Sequence, residues 1–181
     1  MAKKTLFMPG TVFLEGENIN LRTVEEEDIE FLRDGVNHPD VRVHMGNRTP
    51  QNLENEEEFF EDQVCGDDTL DLLICKDNEA KGIITLMLND TERVAEIGIW
   101  LHPDYHGNGY GTEASEILID HAFYQLNYHK IWAYVHADNE PSQNIWKKLG
   151  FQKEGKLRKH TYTEGEYKDV IPFGLLKGEW E

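Results

Sequence analysis

The chain has 181 residues, the size of one ordinary domain, and its 35 acidic against 18 basic side chains give a formal net charge of −17. This excess of negative charge excludes nucleic-acid binding through a broad basic face and favours cationic partners. No run of about 18 apolar residues predicts a membrane span, and the first residues do not resemble a signal peptide, so we expect a cytoplasmic protein.

Hydrophobic periodicity predicts one mixed α/β domain over residues 14–177, preceded by a loose tail at 1–13. In chain order, the predicted elements are a strand at 14–23, a helix from a Thr23–Glu26 capping box to His38-Pro39, a helix at 52–63, strands at 70–75, 82–88 and 94–101, a helix at 112–126, a strand at 130–135, a helix at 141–149, and strands at 151–162 and 167–176. Leu53, Phe59 and Phe60 are expected to face inward. Short polar connections between the three central strands favour antiparallel pairing. The expected architecture is one mostly antiparallel, twisted sheet of about six or seven strands flanked by about four helices.

The cysteines and histidines predict neither a disulfide framework nor a metal site. Cys65 and Cys75 are too few for a framework and lack the partners of a zinc site, so both are expected to be buried in a reducing compartment. The eight histidines show no spacing typical of metal ligands, and His102 and His106 are expected to be exposed. The sequence therefore predicts no metal.

A glycine-rich loop between the predicted strand at 94–101 and the next helix carries the functional signal. Glycine occupies every second position from Gly107 to Gly111, and Thr112 begins the helix. Glycines let the backbone approach a ligand closely, and free N–H groups converge at the positive end of a helix, so the pattern favours a phosphate. The loop lacks the Gly-Lys-Ser/Thr of a P-loop and the parallel βαβ context of a dinucleotide-binding fingerprint. A turn with a packing role alone stays open as the alternative.

Two motifs in this order resemble those of the GNAT (GCN5-related N-acetyltransferase) family. His106–Gly111 resembles the acetyl-CoA signature Gln/Arg-x-x-Gly-x-Gly/Ala, although His106 departs from it at the first position. Asn139–Phe151 resembles the family's Asn-x-x-Ser/Ala…Lys-x-Gly-Phe helix and turn. The segments at 19–22 and 167–176 are similar to the subgroup that contains ribosomal-protein N-terminal acetyltransferases and spermidine acetyltransferases. The resemblance covers about residues 14 to 177.

The resemblance implies a fold in which the strand before the loop splays from its parallel neighbour and holds acetyl-CoA in the gap. It implies that backbone groups of Ile99, Trp100 and Leu101 bind the pantetheine arm and polarise the thioester carbonyl. Asn139 matches a position whose amide touches this arm, with capping of the helix start as the alternative role. The residues expected to hold the diphosphate are His106, Gly107, Asn108, Gly109, Tyr110, Gly111 and Thr112.

The implied activity is the transfer of acetyl from acetyl-CoA to a primary amine by direct attack in a ternary complex. The acceptor is open between a protein N-terminal α-amine and a polyamine or other small cationic amine. Glu96 is the candidate base, acting directly or through water, because the two-residue period of a strand puts it on the face of Gly98 and Trp100. An exposed strand carboxylate without a catalytic role is the alternative.

Trp146 occupies the position where many family members carry a tyrosine that protonates the departing thiolate. Tryptophan cannot do this, so Trp146 is expected to lie in the core or to form a wall of the cofactor slot. Water, Tyr105, Tyr162 and Tyr167 stay open as the proton donor. The missing tyrosine motivates a second hypothesis, an acyl-CoA-binding relative that senses or scaffolds without turnover. The formation of a homo-oligomer is also left open.

Overall fold

The sheet runs through the whole domain and sets the position of every other element. The computed structural model describes residues 10–46 and 49–180, and in these residues nine strands form one sheet in the order β1-β2-β3-β4-β5-β6-β9-β7, with β8 also paired to β9. The strands are Val12–Glu15 (β1), Asn20–Thr23 (β2), Thr69–Lys76 (β3), Glu79–Asn89 (β4), Val94–Leu101 (β5), Lys130–His136 (β6), Gln152–Lys153 (β7), Leu157–Thr163 (β8) and Glu166–Leu176 (β9). Within the described part of the chain, β5 and β6 form the one parallel pair, and all other pairs are antiparallel.

Five α-helices cover the two faces of this sheet. They are Ile29–Asn37 (α1), Pro39–Met45 (α2), Leu53–Phe59 (α3), Tyr110–Asp120 (α4) and Glu140–Lys148 (α5). Helices α3 and α4 each continue into a π-helical turn, at Phe60–Val64 and His121–Gln125. Among the described residues, none of the helices combines the length and the apolar character that a membrane crossing needs.

The core divides into two hydrophobic clusters, one on each face of the sheet. Helices α4 and α5 contribute Leu118 and Trp146 to the larger cluster. Helices α1 and α2 contribute Leu32 and Val41 to the smaller one, which also contains Trp100 from β5. Successive side chains of a strand point to opposite faces, so β5 separates the two clusters and lies at the centre of the fold.

A buried ion pair joins β2 to the start of α1. The guanidinium of Arg22 donates two hydrogen bonds to the Asp28 carboxylate, at 2.7 and 2.6 Å, and only 4% and 7% of the two side chains are exposed. Asp28 also accepts from the main-chain N–H of Glu25. Because Thr23 still belongs to β2, the capping box lies at Glu25 and Asp28 and not at the predicted Thr23–Glu26.

The mixed, largely antiparallel sheet confirms the predicted fold class, but several predicted elements are wrong in detail. The predicted strand at 14–23 is a hairpin, because the N–H of Gly16 closes a turn onto the carbonyl of Ile19. The predicted strand at 151–162 is divided into β7 and β8. These two divisions explain why the sheet has nine strands where about six or seven were expected.

The helices and the chain start also differ from the prediction. His38 ends α1 as expected, but Pro39 begins a further helix, α2, because proline is tolerated in a first helical turn. This raises the number of α-helices to five. β1 begins at Val12, inside the predicted tail, and residues 1–9 lie outside the described residues.

Two side chains predicted to be buried are exposed. Leu53 lies at the first position of α3 with 40% of its surface exposed, while Phe59 and Phe60 pack against the smaller cluster as predicted. Cys75 is buried in β3, whereas Cys65 is exposed at the end of the π-helical turn.

Candidate active site

The parallel strands β5 and β6 separate after three residue pairs. Their pairing runs from Val94 with Lys130 to Glu96 with Trp132 and stops there. Beyond this point β6 stays paired with β9 as far as His136, so the opening lies between β5 and β6. A cavity of about 840 Å³ occupies this opening and extends to the start of α4. We call the space between residues 97–101 of β5 and 133–136 of β6 the strand gap.

Two residues of β5 face the strand gap, where their main-chain groups have no partner strand among the described residues. His102, the residue after β5, donates its N–H to the carbonyl of Lys81 in β4. Because the hydrogen-bonding direction alternates along an antiparallel pair, the main-chain groups of Trp100 also point to β4. Those of Ile99 and Leu101 point the other way, into the gap. Of the three residues predicted to bind a pantetheine arm, Ile99 and Leu101 therefore direct their N–H groups into the strand gap. Trp100 also lines the cavity, but its main-chain groups face β4.

Residues 106–112 comprise the end of the connection from β5 and the first residues of α4, and we call them the glycine turn. Gly107 and Gly109 have φ values of +77° and +82°, a backbone conformation that residues other than glycine rarely adopt. A Cβ atom built on either residue would meet nothing within 4 Å, so both face open space at the cavity. Gly111 differs, since its Cβ would lie 3.2 Å from the Ile145 side chain, and it permits close packing of α4 on α5.

Two side chains of the glycine turn hold the turn itself. Asn108 donates from its Nδ2 atom to the carbonyl oxygens of Tyr105 and His106, at 3.1 and 3.2 Å. The imidazole of His106 donates from Nε2 to the Leu101 carbonyl at 2.9 Å and so joins the turn to β5. Asn108 lies outside the cavity lining, whereas the other residues predicted to hold the diphosphate lie in it. The main-chain N–H groups at the start of α4 are thereby left facing the cavity, where an anion would be stabilised.

The second motif forms a further part of the cavity wall, next to the start of α4. Asn139 lines the cavity, and its Oδ1 atom accepts a hydrogen bond from the N–H of Ser142, which caps α5. Trp146 is only 2% exposed and packs in the larger cluster against Phe151 while also bordering the cavity. Trp146 is thus both a core residue and a cavity wall, as the sequence predicts. Its indole N–H is buried without a hydrogen-bond partner among the described residues.

Glu96 lies at the point where β5 and β6 separate. It is half-buried, on the same face of β5 as Gly98 and Trp100, and burial raises the pKa of its carboxyl group. Gly98 lines the cavity, but Glu96 does not. A proton could therefore travel between the cavity and this carboxylate only through an intervening group such as water.

The structure brings further polar residues to the cavity that the sequence analysis missed. Tyr134 and His136 of β6 lie on the same sheet face as Glu96 and line the cavity. His44 of α2 also lines it, and the centre of its ring lies 5.6 Å from that of His136. Burial lowers the pKa of both histidines. The alternation of Trp132, Tyr134 and His136 with apolar residues was the signal in the sequence for two of these positions.

The predicted tyrosines occupy different places. Tyr105 lines the cavity next to the glycine turn, with the Lys81 ammonium 4.2 Å from its ring centre. Tyr162 and Tyr167 lie outside the lining, in the β8–β9 hairpin, and their rings contact each other at 5.0 Å. Tyr105, Tyr110 and Tyr134 are therefore the tyrosines that border the cavity in the described part of the chain.

Comparison with known proteins agrees with this geometry. Residues 18–152 match the family model described as an acetyltransferase (GNAT) domain. The chain is 26% identical over 164 residues to the spermidine N(1)-acetyltransferase of Escherichia coli (strain K12), which covers 90% of this chain and 88% of that protein. It is 28% identical over 173 residues to the ribosomal N-acetyltransferase YdaF of Bacillus subtilis (strain 168), covering 91% and 94%. Its fold matches the crystal structure of spermidine N-acetyltransferase from Vibrio cholerae in complex with CoA and spermine, with a TM-score of 0.84, 22% identity and coverage of 90% and 97%.

Proposed function

The chain belongs to the GNAT acetyltransferase family and is an acetyl-CoA-dependent N-acetyltransferase; on that premise we propose that its acceptor is the primary amine of a small cationic molecule. The single observation that carries this proposal is the cavity in the strand gap. It ends at a helix start with free N–H groups on one side and is bordered by acidic and imidazole side chains on the other.

In this proposal, acetyl-CoA would occupy the part of the cavity that lies next to the glycine turn. Its diphosphate would lie on the glycine turn, where a Cβ atom on Gly107 or Gly109 would project into open space and take up room that the phosphates need. Its pantetheine arm would extend along β5 toward Ile99 and Leu101. On a chain with a net charge of −17, such a local nest of N–H groups is needed to hold a polyanion.

The chemistry follows from the groups around the strand gap. When acetyl-CoA is bound it supplies an activated thioester, and an N–H of Ile99 or Leu101 would stabilise the oxyanion that forms as the amine attacks. Because an attacking amine must be neutral, a polyamine nitrogen with a pKa of about 10.4 needs roughly 4 kcal/mol for deprotonation at pH 7.4. Glu96 would accept this proton through water. Tyr134, on the strand that borders the gap, would return a proton to the thiolate.

Charge favours a small cationic acceptor over an ordinary protein N-terminus. Asp40 and Asp138 line the cavity, and the excess of acidic residues attracts cations to the chain as a whole. Two of the related proteins are spermidine acetyltransferases, one of them crystallised with spermine. The relative named as a ribosomal N-acetyltransferase keeps protein N-termini as the second candidate class.

A direct comparison of acceptors tests the proposal. Purified protein with acetyl-CoA would be offered spermidine or peptides with Ser or Ala at the N-terminus, and release of the CoA thiol would be recorded. We expect a higher kcat/KM for spermidine, with a preference that shrinks as salt screens the acidic surface. Faster acetylation of the peptides would reject the small-amine proposal. Saturable acetyl-CoA binding with no thiol release above background for either class would indicate the sensor or scaffold hypothesis instead.

A further inference from the structure

Two histidines and an aspartate meet at the open end of the cavity. His44 comes from α2, His136 ends β6, and Asp138 follows two residues later. One potential ligand atom of each side chain lies within 4.8 Å of those of the other two. All three residues line the cavity. Among residues 10–46 and 49–180, this is the one group of three such side chains with this geometry, and we call it the His-His-Asp cluster.

An unsatisfied nitrogen marks this cluster as a site for a ligand. The Nδ1 atom of His136 is buried and has no hydrogen-bond partner among the described residues. Buried polar atoms in folded proteins nearly always have a partner, so an orphaned imidazole nitrogen beside a second imidazole calls for one. A hydrogen bond between the two rings could satisfy at most one nitrogen of each.

The charges around the cluster favour a cation. Lys168 contacts the Asp138 carboxylate at 2.6 Å and thereby fixes its orientation. The same ammonium lies 2.8 Å from Glu164 and 4.0 Å from Glu166, so three carboxylates surround one positive charge. A net negative charge remains beside the two imidazoles.

We propose that the His-His-Asp cluster is a binding site for a borderline divalent cation of the Zn²⁺ class. Two imidazole nitrogens and one carboxylate oxygen form a common ligand set for such ions, with a fourth, open position that would face the cavity. Tetrahedral Zn²⁺ with bonds of about 2.0–2.1 Å needs its ligand atoms about 3.4 Å apart. Rotation of the His44 side chain, which is exposed on a seven-residue helix, would close the remaining distance.

Such a site would connect metal availability to activity, a consequence that rests on the proposed function. The cluster lies at the end of β6, across the strand gap from the glycine turn that follows β5, and the proposal places the incoming amine there. A bound cation would repel an ammonium group and occupy its place, while leaving the diphosphate end free. Inhibition by Zn²⁺ should therefore be competitive with the amine and not with acetyl-CoA.

The binding experiment needs no activity. Full-length protein without an affinity tag would be titrated with Co²⁺, a spectroscopic substitute for Zn²⁺, and the visible absorption bands of a tetrahedral Co²⁺ complex would be recorded. Zn²⁺ would then be added in competition. We expect one Co²⁺ per chain, displaced by Zn²⁺, and affinity at least about tenfold weaker in His44→Ala and His136→Ala. His129→Ala, which removes an exposed histidine outside the cavity lining, serves as the matched control and should bind like the unmodified chain.

The possible results of this titration either support or overturn the proposed metal site. Absence of saturable Co²⁺ binding, or equal binding in His44→Ala and His129→Ala, would overturn the metal site. His44 is exposed, so its replacement should leave the fold intact, and Asp138→Asn provides a further variant that keeps the side-chain shape. If Co²⁺ binds as expected but spermidine is not acetylated, the metal site stands and the proposed function fails.

Discussion

Replacing Gly109 by alanine tests the glycine turn against a matched control elsewhere in the chain. Gly109 and Gly165 have φ values of +82° and +84°, and a Cβ atom on either one meets nothing within 4 Å. Alanine at each position therefore carries the same backbone penalty of about 1–2 kcal/mol. Gly109 lines the cavity at the start of α4, whereas Gly165 lies in the β8–β9 hairpin.

The expected losses of thermal stability and of acetyl-CoA affinity can be worked out separately. For a domain of this size, the shared backbone penalty should lower the melting temperature of both variants by a similar few degrees, about 2–4 °C per kcal/mol. In Gly109→Ala the new methyl group also enters the space of the diphosphate and displaces at least one N–H···phosphate bond. A hydrogen bond to a charged group contributes about 1.5–3 kcal/mol, so acetyl-CoA affinity should fall about 10- to 150-fold.

Calorimetric titration with acetyl-CoA, together with a thermal melt of each variant, would measure both effects. Gly165→Ala should show the thermal shift and keep its affinity. Equal affinity in Gly109→Ala and Gly165→Ala would refute the reasoning, because it would mean that the open space at Gly109 is not used by the cofactor.

The remaining predictions concern proton transfer and stability. Glu96→Gln should lower kcat/KM about 10²- to 10⁴-fold at unchanged acetyl-CoA affinity. Because burial raises the pKa of Glu96, the unmodified enzyme should lose its base form as the pH falls through a range above that of ordinary carboxylates. The variant should lack this acid limb of the pH–rate profile. Unchanged kinetics would remove Glu96 from the mechanism. Tyr134→Phe should lower kcat about 10²-fold, at the lower end of such effects because a thiol of pKa about 8.5 leaves readily; a drop seen with Tyr105→Phe instead would reassign the proton donor. Asp28→Ala should lower the free energy of unfolding in urea by about 3–5 kcal/mol, since it strands a buried guanidinium. Asp34→Ala, which removes the exposed ion-pair partner of Arg33, should lower the free energy of unfolding by only about 0–1 kcal/mol. Similar losses for Asp28→Ala and Asp34→Ala would contradict the assigned burial.

The sheet and the glycine turn could be predicted because short-range patterns encode them. Alternation of apolar residues fixes which face of β5 each side chain occupies, and the glycines at 107 and 109 mark positions with positive φ. The hairpin at Gly16 and the helix begun by Pro39 were missed for the opposite reason. A four-residue strand or a seven-residue helix contains too few residues for a period to be recognised, and tertiary packing decides its state.

The open end of the cavity could not be predicted because it is assembled from distant segments. His44 and His136 belong to different elements and meet only because α2 packs over the end of β6. The orientation of the Ile99 and Leu101 main chain depends on the pairing of β4 with β5, which alternation alone does not fix. Sequence motifs thus locate the proposed cofactor half of the site, while the proposed acceptor half depends on three-dimensional packing.

Amide chemical shifts during a titration of ¹⁵N-labelled protein with coenzyme A would test the central claim most directly. If main-chain N–H groups hold the diphosphate, the amide signals of residues 107–112 should move most, together with those of Ile99 and Leu101, while Gly165 stays fixed. Saturable binding of coenzyme A that leaves the signals of the glycine turn in place would contradict the account.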